Sequence, residues 1–227
     1  IKTLCQMAGL KGAIRWRDYR DHGTFVNMLS DLGDDTAGAD RYTVLVPDNV
    51  VIASAVVVPG NITLVRVQSG RFTIAAEASI TFTDGSKLIT EPEAYLFNVE
   101  GGSSWIGKVI VASSAIEFFT PEMFGGGEAG LVKIQSAVTM QTGVINIRIL
   151  KDLVINGYAV LSNAVDLEYI KPGVLITVEN GGELGISKMT SKHCHNPFEG
   201  SAGTVGIGGS VEGVRTPFVV MRSGMTP

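Results

Sequence analysis

The chain has 227 residues, 45% of them hydrophobic and 18% charged, which is enough to bury a core and too apolar for a disordered protein. A formal net charge of −4 leaves no global basic field to recruit nucleic acid or an anionic membrane. The longest apolar stretches, such as the one from Val50 to Pro59, fall well short of the roughly 20 residues that a membrane-spanning helix needs.

In residues 1–33, Leu4, Met7, Ala8 and Leu10 have helical spacing, broken by Gly9 and Gly12. Phe25, Met28, Leu29 and Leu32 repeat in the same way, so residues 1–40 read as a helical leader or attachment segment. The chain starts Ile1-Lys2-Thr3, without an initiator Met or an apolar signal-peptide core, and reads as a processed product or a part of something longer. Between the two helical pieces, Arg15-Trp16-Arg17-Asp18-Tyr19-Arg20-Asp21-His22 interleaves arginines with aromatics. Asp18 and Asp21 offset the arginines, so a solvated or subunit-contacting segment is expected and nucleic acid is not.

From Arg41 the texture changes to short β-branched pieces: Thr43 to Val46, Val50 to Val58, Ile62 to Val67, Phe72 to Ile74, Ile80 to Phe82 and Lys87 to Ile89. Turn residues bound each piece. The later pieces recur about every eight to ten residues, too closely for βαβ crossovers and suited to hairpins or solenoid corners. Residues 41–119 thus form a β-rich N-terminal region. Residues 120–142 hold Pro121, Phe124 and Gly125, expected as a structural hinge, and a short capping helix around Leu131, Ile134, Gln135, Ala137 and Val138. Pro121 fixes φ, the glycines permit a change of direction, and Phe124 can plug an apolar column.

Residues 143–227 hold a second β-rich run: Val144 to Leu150, Leu153 to Ile155, Ala159 to Leu161, Val165 to Ile170, Val174 to Val178 and Glu183 to Ile186. From Lys192 the tail is Gly-rich and reads as irregular loops or poorly formed coils. A sandwich or barrel would need hairpin turns in every link, for which Asn156-Gly157 is a candidate. The triplet texture of residues 62–89 favours a solenoid.

Few residues offer chemistry. Asp166 and Glu168 share one side of the strand in which Val165, Leu167 and Tyr169 face the other, at the i, i+2 spacing that suits two glycosidase carboxylates. A solvated outer face is the default for such a pair. Glu91 with Glu93, and Asp34 with Asp35, sit in turns or loops. His193-Cys194-His195 alternates sides in an extended chain without an acidic partner, and Cys5 and Cys194 match no zinc spacing, so no metal and no cofactor are expected. Trp105 and Tyr158 are the candidate aromatic platforms for a glycan, with burial the competing role.

Val56-Val57-Val58-Pro59-Gly60-Asn61-Ile62-Thr63-Leu64, Ser69-Gly70-Arg71-Phe72-Thr73-Ile74, Tyr95-Leu96-Phe97-Asn98-Val99 and Pro121-Glu122-Met123-Phe124-Gly125, in that order, resemble the opening region of pectate-lyase-like parallel β-helix proteins, bacteriophage tailspikes above all. In that family a Pro-Glu-aromatic-Phe-Gly string precedes a short helix that opens a right-handed β-helix. Here Met123 replaces the aromatic, and Gly126-Gly127-Glu128-Ala129-Gly130 replaces the family's acidic residues before the helix. The resemblance implies a mainly β fold: a right-handed parallel β-helix preceded by a short helical leader and a small β-rich region. It also implies a virion attachment protein, a homotrimer at the extracellular phage tail, contacting other tail or baseplate proteins and a bacterial surface polysaccharide. A polysaccharide depolymerase and a bacterial adhesin on the same fold are the alternatives.

Overall fold

Alternation within the short strands decides what they do: one face of each is apolar and must be buried, and the other is free to be polar. Val44 with Val46, Val50 with Ile52, Val56 with Val58, and Ile62 with Leu64 are all buried, while their neighbours in the strands are partly or fully exposed. A computed structural model describes residues 15–34, 36, 38–101, 107–112, 114–161, 165–171, 174–186, 189–190, 198–200, 203–207, 211–212 and 219–221.

The protein is mainly β, with two α-helices among the described residues. Strand β1 (Arg15–Asp18) leads through a 3-10 turn (Tyr19–His22) to helix α1 (Phe25–Leu32). Three rounds of three strands follow: β2 (Tyr42–Val46), β3 (Asn49–Ile52) and β4 (Val56–Val58); β5 (Ile62–Arg66), β6 (Arg71–Ile74) and β7 (Ile80–Phe82); β8 (Lys87–Ile89), β9 (Phe97–Val99) and β10 (Val109–Val111). A second 3-10 turn (Pro121–Phe124), helix α2 (Gly127–Ala137) and β11 (Val138–Met140) make the junction. Beyond it come β12 (Ile145–Ile149), β13 (Leu153–Ile155), β14 (Tyr158–Leu161), β15 (Val165–Ile170), β16 (Ile176–Val178), β17 (Gly182–Ile186), β18 (Met189–Thr190), β19 (Phe198–Gly200), β20 (Gly203–Ile207), β21 (Val211–Glu212) and β22 (Val219–Met221).

From β2 to β10, and again from β12 to β22, each strand pairs in parallel with the strand three places on, so the chain visits three sheets in rotation. Register stacks like on like. Val44, Leu64 and Leu88 form one column, Val50, Phe72 and Phe97 a second, and Val56, Ile80, Val109 and Val138 a third. Each round must turn tightly above the one before it. At the β5–β6 corner a Cβ on Gly70 would lie 1.8 Å from the Val46 carbonyl oxygen, so only glycine fits there.

An aromatic file runs through the core. Phe25 of α1 meets Phe72 edge-on at 5.6 Å between centroids, Phe72 stacks on Phe97 at 6.0 Å, Phe97 meets Phe124 at 5.2 Å, and Phe124 meets Phe119 at 6.1 Å. Each such pair adds about 0.5–1.5 kcal/mol beyond area burial. Phe25, Met28 and Leu29 of α1 are buried in this core, which is why their three-to-four spacing forms an amphipathic helix. Thr24 caps α1 by accepting the Asn27 amide at 3.1 Å.

At the junction, the first sheet continues through residues 115–119: the Leu88 amide donates to the Ala115 carbonyl, and Phe119 bridges Ile147 of β12 in parallel. In the second sheet the 3-10 turn lies beside β9, and α2 packs on β13 and β14. Phe124 is fully buried within the aromatic file.

Two alternatives left open by the sequence are decided for the described residues. Asn156-Gly157 is no hairpin turn: it joins β13 and β14, which belong to different sheets and pair in parallel with β16 and β17. The described part of the Gly-rich tail is not irregular, because β19 to β22 continue the pairing, with Gly203 opposite Gly182 and Gly206 opposite Gly185. The preceding round supplies a ready-made ladder that offsets glycine's poor strand propensity. The first helical piece of the leader, from Leu4 to Leu10, lies outside the described residues.

Candidate functional site

Side chains on the outer face of the second sheet interlock from one round to the next. Asn49 Oδ1 accepts the Thr73 hydroxyl at 2.8 Å and Arg71 Nε at 3.3 Å. Asn98, in register with Thr73, accepts the Tyr95 hydroxyl at 2.8 Å, and the Arg71 guanidinium lies 5.8 Å from the Tyr95 ring centroid. Tyr95 is therefore held from both ends: its hydroxyl by Asn98 and its ring beside Arg71.

This strip ends in a cleft of ≈ 620 Å³ at the junction, lined by Glu93, Tyr95, Glu122, Lys151 and Asp152 over the run Gly125, Gly126 and Gly127. All three glycines have positive φ, at 100°, 82° and 61°, and a Cβ on Gly126 or Gly127 would meet nothing within 4 Å. The floor of the cleft is thus bare backbone that side-chain-bearing residues would both strain and fill. Gly126 is also the N-cap of α2 and offers no capping side chain. Lys151 Nζ lies 3.0 Å from Glu93 Oε2. Asp152 Oδ1 accepts the Leu175 amide at 3.0 Å, and Glu122 Oε2 is buried without a hydrogen-bond partner. The wall combines three carboxylates, one ammonium, a phenol ring and the backbone of three glycines.

A second polar cluster lies at the first corner. Tyr19 donates its hydroxyl to Asp48, and burial together with that carboxylate pushes the phenol up to about 12. Arg20 binds Asp18 through Nε at 2.9 Å and approaches Asp48 at 3.8 Å. The Arg20 hydrogen bond lowers Asp18 below the usual carboxylate range, partly opposed by desolvation. Asp34 is likewise lowered by its hydrogen bonds from Thr36.

The residues singled out in the sequence scatter. Pro121 and Phe124 are buried in the junction turn, and Gly125 closes it. Tyr158 opens β14 and is 66% exposed. Asp166 and Glu168 lie on β15, where the pairing with β12 shifts register between Ile147 and Arg148, leaving Glu168 as the extra residue; their side chains fall outside the described part. Trp105, Asp35, Cys5 and the His193-Cys194-His195 run lie outside the described residues. Glu91 pairs with Arg66 at 2.8 Å, and Glu93 belongs to the cleft. Among the described residues no group of three His, Cys, Asp or Glu could hold a metal ion, and no helix is long and apolar enough to cross a membrane.

Tyr95, Glu122, Lys151 and Asp152 were not legible as a site from spacing. They come from different rounds of the coil, and only the register that stacks those rounds brings them together. No protein-family model, no curated protein and no solved structure matches the chain.

Proposed function

We propose that the protein is a tailspike-type attachment component of a phage virion, built as a right-handed parallel β-helix and acting as a homotrimer that holds a bacterial surface polysaccharide. The rotation of the chain through three parallel sheets carries this reading, since it is the connectivity that the Pro121-Glu122-Met123-Phe124-Gly125 resemblance implies. The right hand accords with the general hand of parallel crossovers. The polar strip that ends at Tyr95 supports glycan contact. Location at the tail and contacts with other tail or baseplate proteins follow from the same reading.

The experiment is sedimentation of the protein with a panel of purified bacterial surface polysaccharides, followed by an assay for new reducing or unsaturated ends. Binding without cleavage is the expected result. No binding to any polysaccharide would reject the reading. A depolymerase is the second reading, favoured by the three carboxylates around the cleft, and chain cleavage that Glu122→Gln abolishes would establish it in place of plain attachment.

A further inference from the structure

We infer that the junction cleft is a saccharide subsite that selects neutral or amine-bearing sugars over acidic ones, with Tyr95 as its aromatic platform; this rests on the glycan-binding reading and names the class of glycan. The cleft's size falls within the range of small-ligand sites, and its glycine floor leaves room for a ring to settle against backbone. Sugar hydroxyls donate and accept at once, and the wall supplies both partners. Glu93, Glu122 and Asp152 accept, while Lys151 can donate. The Tyr95 ring, fixed through Asn98, presents an apolar surface beside these groups without further ordering.

Charge decides the class. Three carboxylates face one ammonium, and that ammonium is already paired with Glu93 at 3.0 Å. The helix N-terminus contributes only about half a positive charge, too little to reverse the sign. A uronic or sialic carboxylate entering the cleft would meet net negative charge from the lining residues, whose one cation, Lys151, is already paired. An ammonium on an amino sugar would be attracted, and a neutral hydroxyl pattern would be tolerated. Arg71 is not among the residues that line the cleft; its guanidinium lies over the Tyr95 ring and its Nε bonds Asn49.

The test sorts the polysaccharide panel into neutral, amine-bearing and acidic members and measures affinity by calorimetry for the wild type, Tyr95→Ala, Tyr95→Phe and Glu93→Lys, each checked for an unchanged circular dichroism spectrum. Wild type should bind neutral or amine-bearing members best. Tyr95→Ala should lose about tenfold in affinity, while Tyr95→Phe, which keeps the ring, should lose less. Glu93→Lys removes a carboxylate and frees Lys151 from a partner in the exposed rim, so binding of acidic members should rise several-fold. A wild type that prefers acidic members, or that binds as before in both Tyr95→Ala and Glu93→Lys, would overturn the subsite while leaving the attachment reading standing. A wild type that binds no member would reject both.

Discussion

The Glu128 carboxylate, in the first turn of α2, accepts the backbone amides of Asn156 and Gly157 at 2.9 and 3.0 Å. A helix side chain thereby satisfies the corner between β13 and β14 and fastens the junction to the round that follows it. The same carboxylate sits favourably at the positive end of the helix. Glu128→Ala removes the acceptor of two exposed amides that water can then reach, and a loss of about 1 kcal/mol is expected in urea unfolding. Glu128→Gln keeps one acceptor oxygen and should lose less.

The aromatic file makes Phe97 the side chain on which both halves of the core lean, since it touches Phe72 on one side and Phe124 on the other. Phe97→Ala should cost about 3–5 kcal/mol, and Phe97→Leu clearly less. Chemical denaturation monitored by circular dichroism measures the difference. Equal losses would show that the site collapses around the cavity and that ring-to-ring contact adds little.

Gly70→Ala should be among the most damaging single-methyl additions to the chain. Its Cβ would overlap the Val46 carbonyl oxygen, which is backbone of the adjacent round and has no rotamer by which to move away. Destabilisation above about 1 kcal/mol is expected, against the small gain that Gly→Ala gives at a compatible site. Gly23→Ala is an informative contrast. A Cβ there meets nothing within 4 Å, so only the strain of its positive φ of 79° is tested.

Stability should fall in strong alkali in a way that depends on Tyr19. Its folded-state value is raised from 10.0 to about 12, so the stability it contributes is complete below about pH 10 and is lost as pH rises through about 12. The advantage of the wild type over Tyr19→Phe, measured by urea midpoints, should be largest near pH 8 and shrink toward pH 12. Asp18 acts at the other extreme. Its value is lowered below 3.8 by Arg20, so its contribution is present above that value and is lost as pH falls through the lowered one. Asp18→Asn should flatten that acid limb.

Much of the architecture could be read from the residues. Ile80 to Phe82, Lys87 to Ile89, Leu153 to Ile155 and Val165 to Ile170 were delimited as strands by alternation and turn residues alone, and the triplet texture pointed away from hairpins. The stretch from Val50 to Val58 conceals two strands, β3 and β4, because Ser54 interrupts an apolar run without a Gly or Pro to mark the corner. Val109 to Val111 passed unnoticed because a three-residue strand carries almost no periodicity, and Val138, expected in the capping helix, instead opens β11, since pairing with Val109 in the adjacent round draws it into the sheet. The leader's Arg15 to Asp18 becomes strand by pairing with β2, a tertiary contact that its mix of arginine and aromatics does not encode.

The cleft was less legible than the fold for the same reason. Glu122 was visible only as part of a structural string, Lys151 and Asp152 only as a break between strands, and Tyr95 only as a member of the resemblance. Their convergence depends on the glycine run turning the chain into α2 and on the register that brings successive rounds together.

The most direct test of the proposal that the protein is a trimeric attachment component is its mass in solution, measured by size exclusion with light scattering at low micromolar concentration. The chain mass is 24.0 kDa, and the expected result is a stable species three times that mass. A stable monomer at 24.0 kDa would contradict the proposed trimeric spike.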